Sequence, residues 1–563
     1  MGYIDSPASW TGQSRIRGGS EAMRMFLLTF SLIGLQFCWG TEQTYATPYL
    51  LALGLSKGAM SLVWVAGPLS GLIMQPIIGM ISDKSTSKYG RRRPFMIGGT
   101  VAVAVCLLIL GWAIEIVEWF VPGIGAEAVE RRRALTIRLA IFDIYVLDFV
   151  INIAQATCRA LVVDALPVEK QQTGGAWITR MVGLGHILVF GFGALDLNYW
   201  LPPMFGDTQF KKVCAFAAFM MVFTFSVNCW AVSEKVLVAD PRDTAGNDQS
   251  LRAIIKQIYG RALHVPQRIQ YICNVQFWSW IGWFPMMFYG STWVGEIYLR
   301  HGLDGIPPAS SDALSQVGRA GSTALIIHST IGFATAIILP TLVTSPGDDE
   351  RANNFTPRPP KGLEGVASKV TFAKPHLLDV WTFGCAMFGS CLVFAPVVKS
   401  VRFATFLMAA AGIPSAIAGF SSATLIGVEI NRLGSTLPTI GPKGARPPSS
   451  RRSSNDYEME EPLHLRRPSQ SSVGGAHSQT GELSGIYLGI LNIYTTIPQF
   501  VGTFISFVVF RILEPGKSPE LAQHALPDDV HSTEGPSGIG VCLFIGSVCS
   551  VMAAFATRKL KER

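Results

Sequence analysis

The sequence has little charge and little cysteine for its length. Charged residues make up 15% of its 563 residues, against about 25% in an ordinary soluble domain. Ten cysteines are too few for a disulfide scaffold of this size. Metal-ligand spacings and motifs such as H-E-x-x-H, G-x-S-x-G and the P-loop are missing. The sequence therefore argues against a soluble domain, a disulfide-rich secreted protein and an enzyme, and it predicts no cofactor and no metal.

The sequence is instead rich in long apolar blocks. Apolar residues make up 49% of the chain, which also has 56 glycines and 33 prolines, two residue types that are common in membrane helices. About twelve blocks approach the roughly 20 residues needed to cross a bilayer. They lie at 25–50, 60–82, 95–118, 138–158, 173–195, 213–232, 268–290, 319–343, 376–396, 403–428, 484–510 and 537–556. We predict an all-α membrane protein with about twelve transmembrane helices in two six-helix halves.

Lysine and arginine are concentrated on one side of these blocks. With the N-terminus inside, 32 of the 46 basic residues fall on inside segments, as the positive-inside rule requires. Both termini are therefore predicted to be cytoplasmic. The net charge of +8 then reflects membrane orientation, and it does not indicate nucleic-acid binding. Arg131, Arg132 and Arg133 oppose the rule, because they fall on an outer loop.

The blocks divide the chain into predicted segments. These are a cytoplasmic N-terminus (1–24), a first half (25–232), a central cytoplasmic loop (233–267), a second half (268–556) with a disordered cytoplasmic insertion (430–483), and a cytoplasmic tail (557–563). Within the insertion, 435–480 is rich in serine, proline and arginine and cannot bury enough apolar surface to fold alone. It is either an inert linker or a loop regulated by kinases, because several of its serines lie near arginines.

The loop after the second block has a specific pattern. A glycine, an aspartate four residues later and then Gly-Arg-Arg form the loop pattern of the major facilitator superfamily. The glycine would allow close helix contact, and the aspartate would pair with arginines in a cytoplasmic gate. Positive-inside anchoring is the alternative explanation. The predicted gating residues are Gly79, Asp83, Gly90, Arg91, Arg92 and Arg93.

Longer stretches resemble one family within that superfamily. Residues 67–95 (GPLSGLIMQPIIGMISDKSTSKYGRRRPF) closely resemble the sucrose–proton symporters of plants, in the glycoside–pentoside–hexuronide cation symporter family. The resemblance continues at 35–50, 145–166, 276–298 and 485–499. It implies a major facilitator fold in membrane lipid that imports a sugar with protons by alternating access. Sucrose, maltose and other α-glucosides are all compatible substrates, and a monosaccharide is an open alternative. We expect the plasma membrane as location rather than the vacuolar membrane.

The fourth block carries one polar stripe. Asp148, Asn152, Gln155 and Arg159 are spaced 0, 4, 7 and 11, within roughly 60° of one helix face. An ionised aspartate in the bilayer centre costs ~2.5–3.5 kcal/mol, so Asp148 should face a cavity or a partner. Proton exchange is one role for it, and a polar helix contact is the alternative. The resemblance implies that Asp148 and Arg159 act in proton coupling and that Asn152 lies by the sugar. Eleven residues of straight helix span about 16 Å, so Asp148 and Arg159 cannot touch without a break in the helix, and we expect Arg159 to act at the cytoplasmic mouth or to pair with another helix.

The first block offers further polar side chains. Gln36 and Gln43 share a helix face, and their amides suit sugar hydroxyls, although packing would also explain them. Glu42 lies some 120° from Gln36 on an ideal helix, so it joins the site only if the helix is distorted at Gly40 or Pro48. The predicted proton-coupling residues are Asp148, Arg159 and Glu42. The predicted substrate-binding residues are Gln36, Trp39, Gln43, Asn152, Gln155 and, in the eleventh block, Asn492.

We predict structural roles for three other side chains. Trp283 is interpreted as an interfacial anchor, and His186 and His328 are interpreted as packed core residues. An alternative function for the whole chain is that of a non-transporting membrane sugar sensor on the same fold.

Overall fold

The structure is a computed structural model that describes residues 9–11, 14–123, 125–167, 170–239, 265–303, 312–343, 375–436, 474–522 and 535–561. Most of the predicted central loop lies outside the described residues. The same holds for most of the predicted regulatory loop at 435–480.

The described part of the chain is mainly helical. Its first half consists of α1 (Glu21–Thr29), α2 (Ser31–Thr41), α3 (Thr47–Ala52), α4 (Lys57–Val63), α5 (Ala66–Asp83), α6 (Arg93–Gly111), α7 (Ala113–Phe120), α8 (Ala126–Ala165), α9 (Gln171–Ala194), α10 (Leu197–Trp200) and α11 (Gln209–Ala231). Its second half consists of α12 (Gln267–His301), α13 (Ala313–Leu342), α14 (Leu377–Leu392), α15 (Val401–Ala410), α16 (Gly412–Thr436), α17 (Gly474–Leu513) and α18 (Gly538–Lys561). Short 3-10 turns lie at Pro203–Phe205 and Ala395–Val397.

Four short strands connect the N-terminal segment to the chain after α11. They are β1 (Ser9–Thr11), β2 (Arg15–Ile16), β3 (Val232–Ser233) and β4 (Val236–Ala239). β1 pairs with β4 and β2 with β3, both antiparallel. The segment before the first membrane helix is thus tied to the end of the sixth.

Ten helical segments in the described part of the chain are long and apolar enough to cross a membrane. The fourth and seventh predicted blocks are occupied by α8 and α12, with 40 and 35 residues, which are not among the ten. The chain is an integral multi-pass membrane protein, and the count of twelve spans stays a prediction. The fourth block was predicted too short: α8 begins at Ala126, so Arg131, Arg132 and Arg133 lie inside a helix and not in a loop.

Ion pairs and a backbone cap identify the two faces of the helical bundle. Lys170 pairs with Glu21 at 2.7 Å, and Lys561 at the end of α18 pairs with Asp379 at 2.6 Å. We call this side the terminal face. On the other side, the opposite face, the Nε of Arg133 donates to the carbonyl oxygen of Leu53 at 2.8 Å and satisfies a carbonyl left free where α3 ends.

The first membrane segment is distorted where an acidic residue enters it. A π-helical turn, Glu42–Ala46, separates α2 from α3, and Pro48 follows in the first turn of α3. Proline has no N–H to donate to the preceding turn, and such wide turns are frequent at functional sites. The distortion that would bring Glu42 toward the site is therefore present.

Candidate functional site

Asp148 lies near the middle of α8 and is 1% exposed. Neither carboxylate oxygen has a hydrogen-bond partner among the described residues. The backbone of α5 faces it, because a Cβ added at Gly67 would lie 3.9 Å from its Oδ1. An unpartnered carboxylate in such a place is costly to ionise, so the side chain is suited to carry a proton.

A polar network lies one turn further along α8. The Nδ2 of Asn152 donates to Ser70 Oγ and to the carbonyl oxygen of Asp148, both at 2.9 Å. Gln75 Nε2 donates to Asn152 Oδ1 at 3.1 Å. These bonds join α8 to α5 and fix the orientation of the Asn152 amide. The sequence did not single out Ser70 or Gln75, although both lie in the stretch 67–95 that carries the family resemblance.

Two more predicted sugar-binding residues meet on the same side of α8. Trp39 Nε1 donates to Gln155 Oε1 at 3.1 Å, which joins α2 to α8. Gln36 lies elsewhere: it is 5% exposed, and a Cβ added at Gly185 of α9 would lie 2.8 Å from its Cβ. In this conformation Gln36 therefore serves the packing of α2 against α9.

Glu42 is fully buried, and neither of its carboxylate oxygens has a partner among the described residues. It lies within electrostatic range of Asp148 and of Asp143, which is 4% exposed. Asp143 was missed because it lies five residues before Asp148, about 140° around the helix from the predicted stripe. Neighbouring carboxylates in a buried site do not all ionise together without a cation, so this group favours at least one bound proton.

Arg159 does not belong to this buried group. It is exposed, and α8 is continuous between it and Asp148, so about 16 Å of helix separates the two residues. The geometry agrees with the expectation that they do not touch. A role for Arg159 in proton coupling stays a prediction.

A cavity of about 490 Å³ lies between the two halves, within the range of small-molecule sites. Its walls come from α9 in the first half and from α12, α13 and α16 in the second. The polar and aromatic lining residues include Gln43, Thr179, His186, Trp283, His328 and Thr424. Of the predicted sugar-binding residues, Gln43 lines this cavity, whereas Asn492 does not; its carbonyl accepts hydrogen bonds from Thr495 and Thr496.

The two histidines line the cavity from different halves. His186 stacks on Phe190 with ring centroids 5.7 Å apart, and the Nδ1 of His328 lies 2.8 Å from the carbonyl oxygen of Met408. Trp283 packs on Phe388 at 4.1 Å and also lines the cavity. The interpretation of these residues as core or anchor was therefore incomplete. Their shared position depends on contacts between halves, which no local pattern in the sequence carries.

Arg92 is the centre of an ionic cluster on the terminal face. It is 5% exposed, its Nε lies 2.9 Å from Asp164 Oδ2, and its guanidinium also pairs with Asp83 and Ser82. Arg91 reaches the other oxygen of Asp164 at 2.7 Å. The predicted pairing of Asp83 with an arginine is present, and Asp164 at the end of α8 is an addition.

Glu234 holds the N-terminus of α6 in place. Its carboxylate accepts the backbone N–H groups of Arg91 and Arg92 at 2.9 Å and of Arg93 at 3.0 Å, an arrangement that favours a negative charge at a helix start. Burial raises the pKa of the Glu234 carboxyl above its ordinary value, although the three N–H donors act in the opposite direction. The Arg93 side chain donates to the carbonyl oxygen of Cys229.

Gly90 and Gly79 differ in the space that their surroundings leave for a side chain. Gly90 has φ +104°, and a Cβ there would lie 2.8 Å from the Glu234 side chain. A Cβ at Gly79 would meet no described atom within 4 Å. The prediction that Gly79 allows close contact between helices is therefore wrong for this conformation.

We expect Gly90→Ala to lower the free energy of unfolding by about 1–3 kcal/mol, because alanine resists this backbone conformation. Gly79→Ala is the matched control and should be neutral or stabilising by up to about 1 kcal/mol, since α5 is helical there. Thermal unfolding of the detergent-solubilised variants measures both. Equal melting temperatures for the two variants would contradict the requirement for glycine at position 90.

The sequence and the helical fold are similar to those of known membrane transporters. Residues 29–124 match the family described as MFS/sugar transport protein. A solved structure of a bacterial homolog of the human lysosomal transporter Spinster superposes with a TM-score of 0.52 at 13% identity, covering 97% of this chain and 99% of that one. A D-xylose–proton symporter gives 0.50 at 13% identity, covering 96% and 98%. The chain has the fold of the major facilitator superfamily.

The curated proteins that this chain resembles include sugar transporters. The general alpha-glucoside permease of Schizosaccharomyces pombe is 35% identical over 325 residues, which cover 57% of this chain and 56% of that protein. A sucrose transport protein of Arabidopsis thaliana is 28% identical over 320 residues, covering 54% and 60%. The matches thus span less than two thirds of these relatives. They confirm the resemblance to sucrose and α-glucoside transporters, and both named relatives are transport proteins rather than enzymes.

Proposed function

We propose that the chain transports an α-glucoside such as sucrose or maltose together with protons by alternating access. The observation that carries this proposal is Asp148, a buried carboxylate without a hydrogen-bond partner among the described residues, beside the Asn152 network. The named relatives support the substrate class. Asp148 is proposed as the main proton-binding group, and Glu42 with its neighbour Asp143 as an additional one.

The sugar is proposed to bind in the cavity between the halves. Gln43 and the two cavity histidines offer hydrogen bonds, and Trp283 offers an aromatic face. Asn152, Gln155, Trp39 and Gln36 would join the site when the helices rearrange, since in this conformation they bond or pack within the first half. Asn492 is proposed to complete the site from α17 in the same way.

The contacts of the opposite face support a conformation closed on that side. Thr47 Oγ1 donates to the carbonyl oxygen of Phe288 at 3.0 Å, and Ser291 Oγ donates to that of Gln43 at 2.7 Å. Both bonds join the first segment to α12 across the two halves. On the terminal face, the Arg92 cluster stays within the first half, and the pair of Arg268 with Glu429, at 2.9 Å, stays within the second.

We propose the following transport cycle. With the opposite face open, Asp148 takes up a proton and the sugar enters; the halves then close on that side and release both at the terminal face. A membrane potential of 100 mV supplies about 2.3 kcal/mol per charge, enough for more than tenfold accumulation. The gating loop with Gly79, Asp83, Gly90 and Arg91–Arg93 is proposed to remake its ion pairs at each turn of this cycle. We further propose cytoplasmic termini, a plasma-membrane location and kinase regulation of 435–480.

The test is uptake of labelled sucrose, maltose and glucose into proteoliposomes with an imposed inward proton gradient. We expect accumulation of an α-glucoside that a protonophore abolishes. Counterflow without a gradient would show transport and would exclude a non-transporting sensor. Absence of both uptake and counterflow for every sugar would contradict the proposal.

Trp283→Ala is expected to raise the KM for sugar by up to about tenfold, because one aromatic stacking face, worth ~0.5–1.5 kcal/mol, is lost. Trp278→Ala is the control: this ring lies in the same helix and packs edge-on against Phe277 at 5.8 Å, and it does not line the cavity. Initial uptake rates over a range of sugar concentrations give both values. An equal change of KM in the two variants would contradict a sugar site in this cavity.

A further inference from the structure

A buried lysine joins the two halves at the opposite face. Lys57, in the first turn of α4, is 0% exposed. Its Nζ lies 2.7 Å from Glu296 Oε1 on α12 and 2.9 Å from Glu514 Oε2, directly after α17. The cation therefore comes from the first half and both carboxylates come from the second. Neither Lys57 nor its partners belong to the proton or sugar residues discussed above.

The second half by itself holds Glu514 and the neighbouring Glu520 in position. Glu514 Oε1 accepts the backbone N–H of Gly538 at 3.0 Å. One turn along α12 from Glu296, Arg300 pairs with Glu520 at 2.5 Å, and Ser518 Oγ donates to the same carboxylate at 2.9 Å. Although burial acts against it, the charges of Lys57 and Arg300 hold the pKa of Glu520 below its ordinary value. The second half thus presents a preformed anionic socket to one lysine.

The socket is buried but borders a groove on its Glu514 side. A groove of about 450 Å³, lined by Ser56, Gly58, Phe510 and Glu514 among others, borders the ion pairs. When the halves separate at this face, water can therefore replace the lost partners of all three charges. When they close, each charge is desolvated and depends on the others, because a buried charge without its partner is strongly unfavourable.

We propose that Lys57, Glu296 and Glu514 form a latch that closes the opposite-face entrance, so that Lys57 sets the balance between the two conformations. The proposal rests on alternating access as the proposed function. The latch differs from the Arg92 cluster because it joins the halves, whereas the Arg92 cluster lies within one of them. Its strength acts on the conformational equilibrium and not on sugar contacts.

The experiment measures the distance across the opposite face directly. Cysteines for spin labels are placed at Tyr199 in the first half and Val397 in the second, which are 82% and 72% exposed. Double electron–electron resonance on the full chain in lipid nanodiscs, without sugar, gives the ratio of open to closed populations.

Lys57→Gln is expected to raise that ratio at least tenfold, because a buried ion pair is strongly destabilised when one partner loses its charge. Lys57→Arg keeps the positive charge and should keep the ratio within about twofold of the unmutated chain.

Two further variants keep the test decisive. Lys170→Gln removes an exposed pair on the terminal face and should leave the ratio unchanged, as exposed pairs contribute little. Glu296→Gln leaves Lys57 paired with Glu514, so it should fold even if Lys57→Gln does not, and should raise the ratio at least threefold. A closed population equal to that of the unmutated chain in Lys57→Gln, or in Glu296→Gln if the former does not fold, would overturn the latch.

The same measurement separates the latch from the proposed function. The distance distribution does not depend on a transported sugar. Opening in Lys57→Gln together with a lack of uptake by the unmutated chain would refute the proposed substrates and leave the latch standing. Normal uptake together with an unchanged distance would refute the latch alone.

Discussion

Asp148→Asn is expected to abolish proton-driven accumulation of sugar while exchange of internal for external sugar continues. Asparagine has the size of aspartate but no proton to gain or release, so the energy of the proton gradient can no longer be used. The fold should survive, because the carboxylate oxygens of Asp148 have no hydrogen-bond partner among the described residues. We expect the accumulation ratio to fall from at least tenfold, the value that about 1.4 kcal/mol of driving force supports, to one.

The matched control is Asp379→Asn. Asp379 lies in the first turn of α14 and pairs with Lys561 at the terminal face, where both are about half exposed, so its loss should leave accumulation unchanged. Uptake and counterflow are measured in the same proteoliposomes. An Asp148→Asn variant that still accumulates sugar against its gradient would contradict the role of this residue. Loss of counterflow as well would place Asp148 in sugar binding.

Arg92→Gln is expected to lower the free energy of unfolding by about 1–3 kcal/mol, the range found when a buried polar group loses its hydrogen-bond partners. Arg92 is 5% exposed and joins the end of α5, the start of α6 and the end of α8 through Asp83 and Asp164. Glutamine is too short and uncharged to replace these contacts. Arg91 stays close to Asp164 at 2.7 Å, which places the expected loss at the lower end of the range.

Arg138→Gln serves as the control, because Arg138 is an exposed arginine of α8 and surface changes usually alter stability by less than about 0.5 kcal/mol. Unfolding by denaturant in detergent, followed by tryptophan fluorescence, gives both values. A loss no larger than that of Arg138→Gln would show that the cluster contributes little to the fold.

Local patterns were sufficient for features that lie on one element. The stripe of Asp148, Asn152 and Gln155 was readable because a helix repeats every 3.6 residues, and the structure places all three toward α2 or α5. The motif around Asp83 predicted its pairing with an arginine. The apolar blocks located the helices, although α8 extends well beyond its block because its first turns carry three arginines.

Contacts between distant segments could not be predicted in this way. Lys57, Glu296 and Glu514 are each unremarkable in sequence, and only the packing of the two halves brings them together. The π-helical turn places Glu42, and its local signals in the sequence are Gly40 and Pro48. Glu234 was missed for the same reason: its partners are backbone N–H groups, which every residue except proline has.

The most direct test of the coupling is the proton flux that sugar evokes in the unmutated chain. Proteoliposomes containing a pH-sensitive dye are held without a pH gradient, and an α-glucoside is added outside. We predict that the lumen acidifies at a rate that saturates with sugar concentration, and that Asp148→Asn removes this acidification. Entry of labelled sugar without any change in luminal pH would contradict proton-coupled transport.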